Sequence, residues 1–474
     1  MTVNNDSPST FAHGFFTTQS IGALGSQLRN GQTTSLELVD HALAEIERAN
    51  PVLNAFSSID ADGARRTAEH ADTELARGID RGPLHGIPIA IKDIIDVAGQ
   101  VTTAGSALYL DRYADKDAAC VRALREAGAI IVGKTVLHEF AYGATCDRSV
   151  HGASRNPHDP SRISGGSSGG SAVAVAAGMV PMALGTDTAG SVRVPAALCG
   201  IVGFKPAFDA ISTDGVYPLS PSLDHVGIFT QTVADAALTY QALAASDGGA
   251  STAAAADDST LPEVRVAWVE PSSIGPVDPA VETAVRTAVT DLLGPIPSIN
   301  LDYSSGDLFS VFSTIQGSEA FAEHVDDVTH AADAIDTEVL GRLQRGAELR
   351  AWEYLHAVTA RTAFREALEE YFHQYDVLAL PTVPTVAVHV GERTHSIDGV
   401  EVEIRSALLS LTSPWNLTGS PSITLPAGFV DDLPIGLQLV CATGHEDTLF
   451  RLVTRLEGDL AESDPSIAAI SLPT

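Results

Sequence analysis

Residues 165–178 constrain this chain more than any other stretch. Gly-Gly-Ser-Ser-Gly-Gly-Ser runs without a charge into Ala-Val-Ala-Val-Ala-Ala-Gly. The first half reads as a glycine loop and the second as a helix too apolar to face water on any side, so the loop feeds a buried helix. Such a helix needs layers around it. Short β-branched runs supply candidates for a sheet: 87–97, 129–133, 264–269, 377–380, 422–425 and 436–440. Helical patterns alternate with them over 117–127 and 279–293, and 317–373 is largely helical and acidic. Thr34-Ser35-Leu36-Glu37 is a capping-box pattern that opens a first amphipathic helix over 35–49.

This alternation predicts an α/β fold: a central twisted mixed β-sheet covered by α-helices on both faces. Sheet-type segments lie at both ends of the chain, so one domain over 1–474 is expected. Its signature core covers about 80–230, the low-complexity run 247–260 is a surface loop, and 261–474 completes the sheet and the substrate pocket. With 45% hydrophobic and 19% charged residues the chain can bury a large core.

A formal charge of -32 and no Lys/Arg-rich stretch argue against a nucleic-acid partner. Cys120, Cys146, Cys199 and Cys441 lack CxxC spacing and read as reduced and packed. The opening Met1 to Asp6 has no basic or apolar leader pattern, and no run approaches eighteen apolar residues, so a cytoplasmic location without a membrane is expected. The fifteen histidines form no HExxH, which disfavours a metal.

Lysine is scarce. Of the four, Lys92, Lys134 and Lys205 fall inside motifs: Gly86-Ile-Pro-Ile-Ala-Ile-Lys92-Asp93, Gly133-Lys134-Thr135 and Gly203-Phe-Lys205-Pro206. Together with the 165–171 loop, Gly185-Thr-Asp-Thr-Ala-Gly-Ser191-Val-Arg193-Val-Pro195, Arg155-Asn-Pro157 and Leu433-Pro-Ile-Gly-Leu-Gln-Leu439, they form a long ordered pattern. That pattern resembles the amidase signature family, the Ser-cisSer-Lys hydrolases, in its stand-alone amidase, aryl acylamidase and urethanase-like branch. Carried over residue by residue, the resemblance implies Ser191 as nucleophile, Ser167 behind a cis peptide bond as the bridging hydroxyl, and Lys92 as the base.

A serine hydroxyl attacks weakly, so a second hydroxyl must relay its proton to an amine that is uncharged. An ordinary lysine is protonated at neutral pH. Burial among Ile89, Ile91 and Ile94 would disfavour the cation, whereas Asp93 would oppose that shift unless its side chain points away.

The resemblance further implies oxyanion binding by the backbone N–H groups of Thr188, Ala189, Gly190 and Ser191. The family usually has Gly-Gly where this chain has Ala189-Gly190, so a positive φ at 189 would strain the alanine. Asp187 and Arg193 are expected to brace the loop. Substrate contacts fall on Ala141, Tyr142 and Gly143, with His138, Phe140 and the helical region 310–350 as unsupported additions to the pocket.

The implied activity is hydrolysis of C–N bonds in neutral amides, aryl amides or carbamates through an acyl-enzyme. It needs no cofactor and no partner beyond the small-molecule substrate, with a homodimer left open. Two alternatives remain. One is the amidase subunit of a tRNA-dependent amidotransferase, which passes ammonia to a partner; residues 142–149 look more like stand-alone amidases. The other takes Gly165-Gly-Ser167-Ser-Gly169 as a nucleophile elbow, with Ser167 attacking and Asp224 and His225 assisting, yet no buried strand leads into it. A phosphate-cradling loop lacks GxxxxGK[ST] or strand-GxGxxG-helix context.

Overall fold

In the computed structural model, residues 11–245, 264–301 and 308–463 are described. The expected surface loop at 247–260 and the opening Met1 to Asp6 lie outside them. The strands are β1 (Phe56–Ile59), β2 (Pro88–Lys92), β3 (Ile130–Thr135), β4 (Met182–Thr186), β5 (Val202–Lys205), β6 (Val226–Thr230), β7 (Val266–Val269), β8 (Ser298–Ile299), β9 (Val377–Pro381), β10 (Thr394–Ile397), β11 (Val400–Glu403), β12 (Ser422–Val430) and β13 (Leu433–Cys441).

Eleven of them form one sheet in the order β1-β3-β2-β4-β6-β5-β12-β13-β9-β7-β8, while β10 and β11 make a separate hairpin. The sheet is mixed. β2 runs parallel to β3 and β4, and β4–β6, β5–β6, β5–β12 and β12–β13 are antiparallel. Strands from both ends of the chain share one ladder, which makes a single α/β domain with its core on both faces of the sheet.

Local chemistry explains the elements that carry the site. The first long helix, Ser35–Leu53, has its capping box formed: Thr34 accepts from the Glu37 amide and Glu37 accepts from the Thr34 amide. It outruns the expected 35–49 because Pro51 is accommodated and left-handed Asn54 caps the end. The buried helix is Gly169–Ala176, with every residue buried. Its start needs glycine: a Cβ on Gly170 would lie 2.4 Å from the Ala55 carbonyl oxygen and 2.6 Å from the Val136 backbone.

The apolar run 87–97 does not continue as strand past Lys92. The amides of Ile94 and Ile95 both turn back to the Lys92 carbonyl, so the second half of the run is a buried turn rather than a ladder. That turn places residues 92 and 93 at the carboxyl end of β2, beside the carboxyl ends of its parallel neighbours. In open α/β sheets this edge is where ligands bind.

Candidate active site

Lys92 ends β2 and Thr186 ends the adjacent parallel β4, so their side chains meet. Lys92 Nζ lies 2.8 Å from Ser167 Oγ and 2.7 Å from Thr186 Oγ1. All three are buried, with Lys92 and Ser167 fully so. Burial drives the Lys92 pKa down to about 7, against a weaker upward pull from Cys146, Asp187 and Asp224. Asp93 points elsewhere: it pairs at 3.0 Å with fully buried Lys134 and accepts from the Thr103 hydroxyl at 2.5 Å. The neighbouring carboxylate therefore leaves the Lys92 amine without an ionic partner.

The Gly166–Ser167 peptide bond is cis. The next amide, of Ser168, donates to the Ser191 carbonyl at 3.3 Å, which sets the 165–168 turn against the 187–191 loop. Ser168 Oγ bonds both the carbonyl and the amide of Thr186, fastening the turn to the end of β4.

Asp187 organises the loop that ends in Ser191. Its carboxylate accepts from the amides of Gly190 (2.8 Å) and Val192 (3.1 Å), from Arg193 Nε (3.0 Å) and Nη2 (2.8 Å), and from Asn416 (2.9 Å). Arg193 reaches onward to Gln438, Asn416 and the Thr412 carbonyl. Both partners of the pair are fully buried. Burial works to raise the Asp187 pKa, but the charge and hydrogen bonds of Arg193 override it and hold the group well below the usual carboxylate range.

The same carboxylate changes the expected oxyanion set. The Gly190 amide is spent on Asp187, to which it donates at 2.8 Å. The amides of Thr188, Ala189 and Ser191 donate to no protein acceptor among the described residues and stay available. An Asp three residues before a glycine amide is a common local hydrogen-bonding pattern, so this loss was readable in the sequence. The Ala189-Gly190 variant carries no strain: the left-handed residue is Gly190, at φ 134°, and not Ala189. A Cβ at 190 would also lie 2.2 Å from Thr412 Oγ1, whose hydroxyl donates to the Ala189 carbonyl at 2.5 Å.

The segment 138–146, which carries Ala141, Tyr142 and Gly143, borders the turn through residues on either side of those three. The His138 amide donates to the Ser167 carbonyl at 3.0 Å, and a Cβ on Gly166 would lie 3.1 Å from the backbone of Ala144 and Thr145. Phe140 and Ala141 are both left-handed, at φ 55° and 57°, a conformation that costs non-glycine residues energy and is held here by surrounding contacts. The Phe140 amide bonds the Ala104 carbonyl, and its ring packs 4.2 Å from that of His324. Gly143 has no room for a side chain, since a Cβ would strike the buried His138 ring at 2.2 Å.

Tyr142 lines a cavity of about 380 Å³, together with residues of the helices Leu308–Glu323 and Thr337–Glu348. The helical region 310–350 thus contributes to a pocket that Tyr142 shares. Phe140 and His138 are buried. The elbow alternative finds no support in the geometry. Ser167 follows a turn, Asp224 is held by the Thr188 hydroxyl and the amides of Leu219 and Ser220, and His225 Nδ1 faces the carbonyls of Leu223 and Asp187.

Sequence reasoning missed Thr186, Thr412, Asn416 and Gln438. Thr186 stood inside the quoted motif, directly before Asp187. Gln438 stood inside the quoted 433–439 motif, while Thr412 and Asn416 lie more than 200 residues from Ser191 and carried no local signal.

The family model described as Amidase matches residues 37–450. The chain belongs to the amidase family. A glutamyl-tRNA(Gln) amidotransferase subunit from Roseiflexus sp. (strain RS-1) is 36% identical over 459 residues, covering 90% of this chain and 93% of that one. A solved structure of an amidase superposes with a TM-score of 0.86 at 35% identity, covering 93% of this chain and all of the other. The corresponding amidotransferase subunit from Thermotoga maritima superposes with a TM-score of 0.74 at 29% identity, covering 94% and 95%. This amidase is therefore an enzyme that hydrolyses carbon–nitrogen bonds. Its four cysteines are free and buried, and no helix among the described residues is long and apolar enough to cross a membrane.

Proposed function

We propose that this amidase cleaves the C–N bond of a small-molecule amide or carbamate through Ser191, with Ser167 relaying the proton to Lys92. One observation carries the reading: a fully buried lysine amine, without an ionic partner, sits 2.8 Å from the hydroxyl of Ser167. Ser191 Oγ attacks the carbonyl carbon as its proton passes to Ser167 Oγ and the Ser167 proton passes to Lys92 Nζ. The amides of Thr188, Ala189 and Ser191 hold the developing oxyanion, while Asp187 and Arg193 keep them aimed. The proton returns by the same route to the leaving amine. Water then enters and hydrolyses the acyl-enzyme with the lysine again as base.

A neutral amine has one lone pair and two N–H bonds. Donation of one N–H to Thr186 Oγ1 turns the lone pair toward Ser167, which gives Thr186 an orienting part in this scheme.

The test is a turnover panel of aryl amides, primary amides and carbamates on the wild type and on Ser191→Ala. Every activity is expected to vanish in the variant; survival of one class would break the single-nucleophile scheme. The pH dependence has a defined sign. The base must be unprotonated, so kcat/KM is expected to be full above the folded-state pKa of about 7 and to be lost as pH falls through it. The acid limb should drop about tenfold per pH unit. A flat profile from pH 5 to 8 would remove the lysine from the rate equation.

A second reading has its own support. The 36% identity to a glutamyl-tRNA(Gln) amidotransferase subunit over 90% of the chain favours release of ammonia to a partner enzyme instead of to solvent. The higher TM-score to the amidase than to the Thermotoga maritima protein favours the stand-alone reading. Both use the same amide-cleaving chemistry. Purification of the chain from its native cells decides between them: two stoichiometric partner chains establish the role within a complex, and an active lone chain establishes the stand-alone one.

A further inference from the structure

The loop that carries the nucleophile is tied down residue by residue. Asp187 is held by Arg193 and Asn416, the Ala189 carbonyl accepts from Thr412, the Gly190 amide donates to Asp187, and the Ser191 carbonyl accepts from the Ser168 amide. Thr188 has a tie of its own. Its buried hydroxyl donates to Asp224 Oδ1 at 2.6 Å, and among the described residues this is the only hydrogen bond that Thr188 makes.

Asp224 is itself immobilised. Its other oxygen, Oδ2, accepts from the amides of Leu219 at 2.9 Å and Ser220 at 3.0 Å, so the carboxylate closes the turn 219–224 on itself. Two helices brace that turn from outside. Glu319, on Leu308–Glu323, accepts from the Ser220 hydroxyl at 2.6 Å and the Ser222 amide at 3.1 Å. Arg361, on Ala351–Gln374, donates to the hydroxyl and the carbonyl of Ser222, each at 3.0 Å. Backbone hydrogen bonds in both directions between Asp187 and His225 then lay the far end of the turn along the nucleophile loop.

Burial pushes the Asp224 pKa up to about 6, against the hydrogen bonds from Thr188, Leu219 and Ser220. An acid with that pKa is ionised at neutral pH, so the bond from Thr188 is charge-assisted and stronger than one to a neutral acceptor. Threonine branches at Cβ and has few χ1 rotamers, so fixing Oγ1 also fixes the backbone that carries the Thr188 N–H. We propose that Asp224 is a positioning residue for catalysis, which aims the Thr188 amide, through the Thr188 hydroxyl, at the oxyanion formed when Ser191 attacks. The inference rests on the proposed roles of Ser191 and of the loop amides.

Single-turnover release of 4-nitrophenolate from 4-nitrophenyl acetate, with enzyme in excess, reads acylation alone: the bond from Ser191 Oγ to the acyl carbon forms and the phenolate leaves. The dependence on enzyme concentration separates rate from binding, and Ser191→Ala supplies the background. Thr188→Val is expected to lower the saturating rate about tenfold, with the dissociation constant of the ester changed by less than about twofold, because the donor is misaimed rather than removed. Thr188→Ser keeps the hydroxyl and should recover most of the rate. Asp224→Ala should slow acylation as much as Thr188→Val does, and the double variant no further, since both cut the same link. A wild-type rate in Thr188→Val, a loss that appears in binding instead of rate, no recovery in Thr188→Ser, or losses that multiply in the double variant each overturns the positioning role. The two Thr188 variants decide the matter by themselves if Asp224→Ala does not fold. A wild-type rate no higher than that of Ser191→Ala would overturn the nucleophile assignment instead, so the two failures are separable.

Discussion

Lys92→Met is expected to lower kcat/KM by about 10³-fold or more near neutral pH, the range of a lost general base. Methionine has a similar volume and no charge, and it replaces a side chain that burial already drives toward neutrality, so the fold should tolerate it. The variant loses the acceptor for the Ser167 proton and leaves the Ser167 and Thr186 hydroxyls facing an apolar sulfur. Steady-state rates on any substrate of the panel, with far-ultraviolet circular dichroism as the fold control, make the measurement. A folded Lys92→Met protein with wild-type turnover would end the relay mechanism.

Asp187→Ala is expected to be the most destabilising single change at the site, at about 3–5 kcal/mol. The mutation strands the Arg193 guanidinium, which is fully buried and has only neutral partners left in Gln438, Asn416 and the Thr412 carbonyl. It also removes the acceptor for the Gly190 and Val192 amides on either side of Ser191. Urea unfolding with a global fit reads the stability, and a loss below about 1 kcal/mol, the level of an exposed pair, would show that the carboxylate is not the loop's anchor. Asp187→Asn retains part of the hydrogen bonding and should fall between.

Much of this was legible because local patterns were strong. The helix over Ser35–Leu53 announced itself by a capping box, and Val377–Pro381 and Leu433–Cys441 by short apolar runs. The approach of Lys92 to Ser167 followed from motifs that end a strand and occupy one glycine turn, whereas the part of Thr186 at the end of the adjacent strand went unread. What escaped notice depended on distance in the chain. The Ile94–Val97 half of an apolar run left the strand because the Ile94 and Ile95 amides return to Lys92 and the Asp96 amide goes to the Gly215 carbonyl, which composition alone does not reveal. The pairing of Arg193 with Gln438, of Thr412 with Ala189, and of Arg405 with Tyr142 joins segments more than 200 residues apart, and no spacing rule links them. The Gly190 amide is different in kind, since the sequence held the signal in Asp187 and only the family pattern obscured it.

Lys92 and Asp93 are consecutive and serve opposite sides of the sheet end, the amine toward Ser167 and the carboxylate toward Lys134. Parity along the backbone thus keeps an acid and a base from neutralising each other. A single-residue deletion anywhere between Pro88 and Ile91 would advance the chain by one step and exchange the two faces. A carboxylate would then stand where the amine belongs, and an ammonium would face Lys134. Such a lesion would silence the enzyme while leaving Lys92, Ser167 and Ser191 all present, which makes the length of this five-residue strand as strict a requirement as its composition.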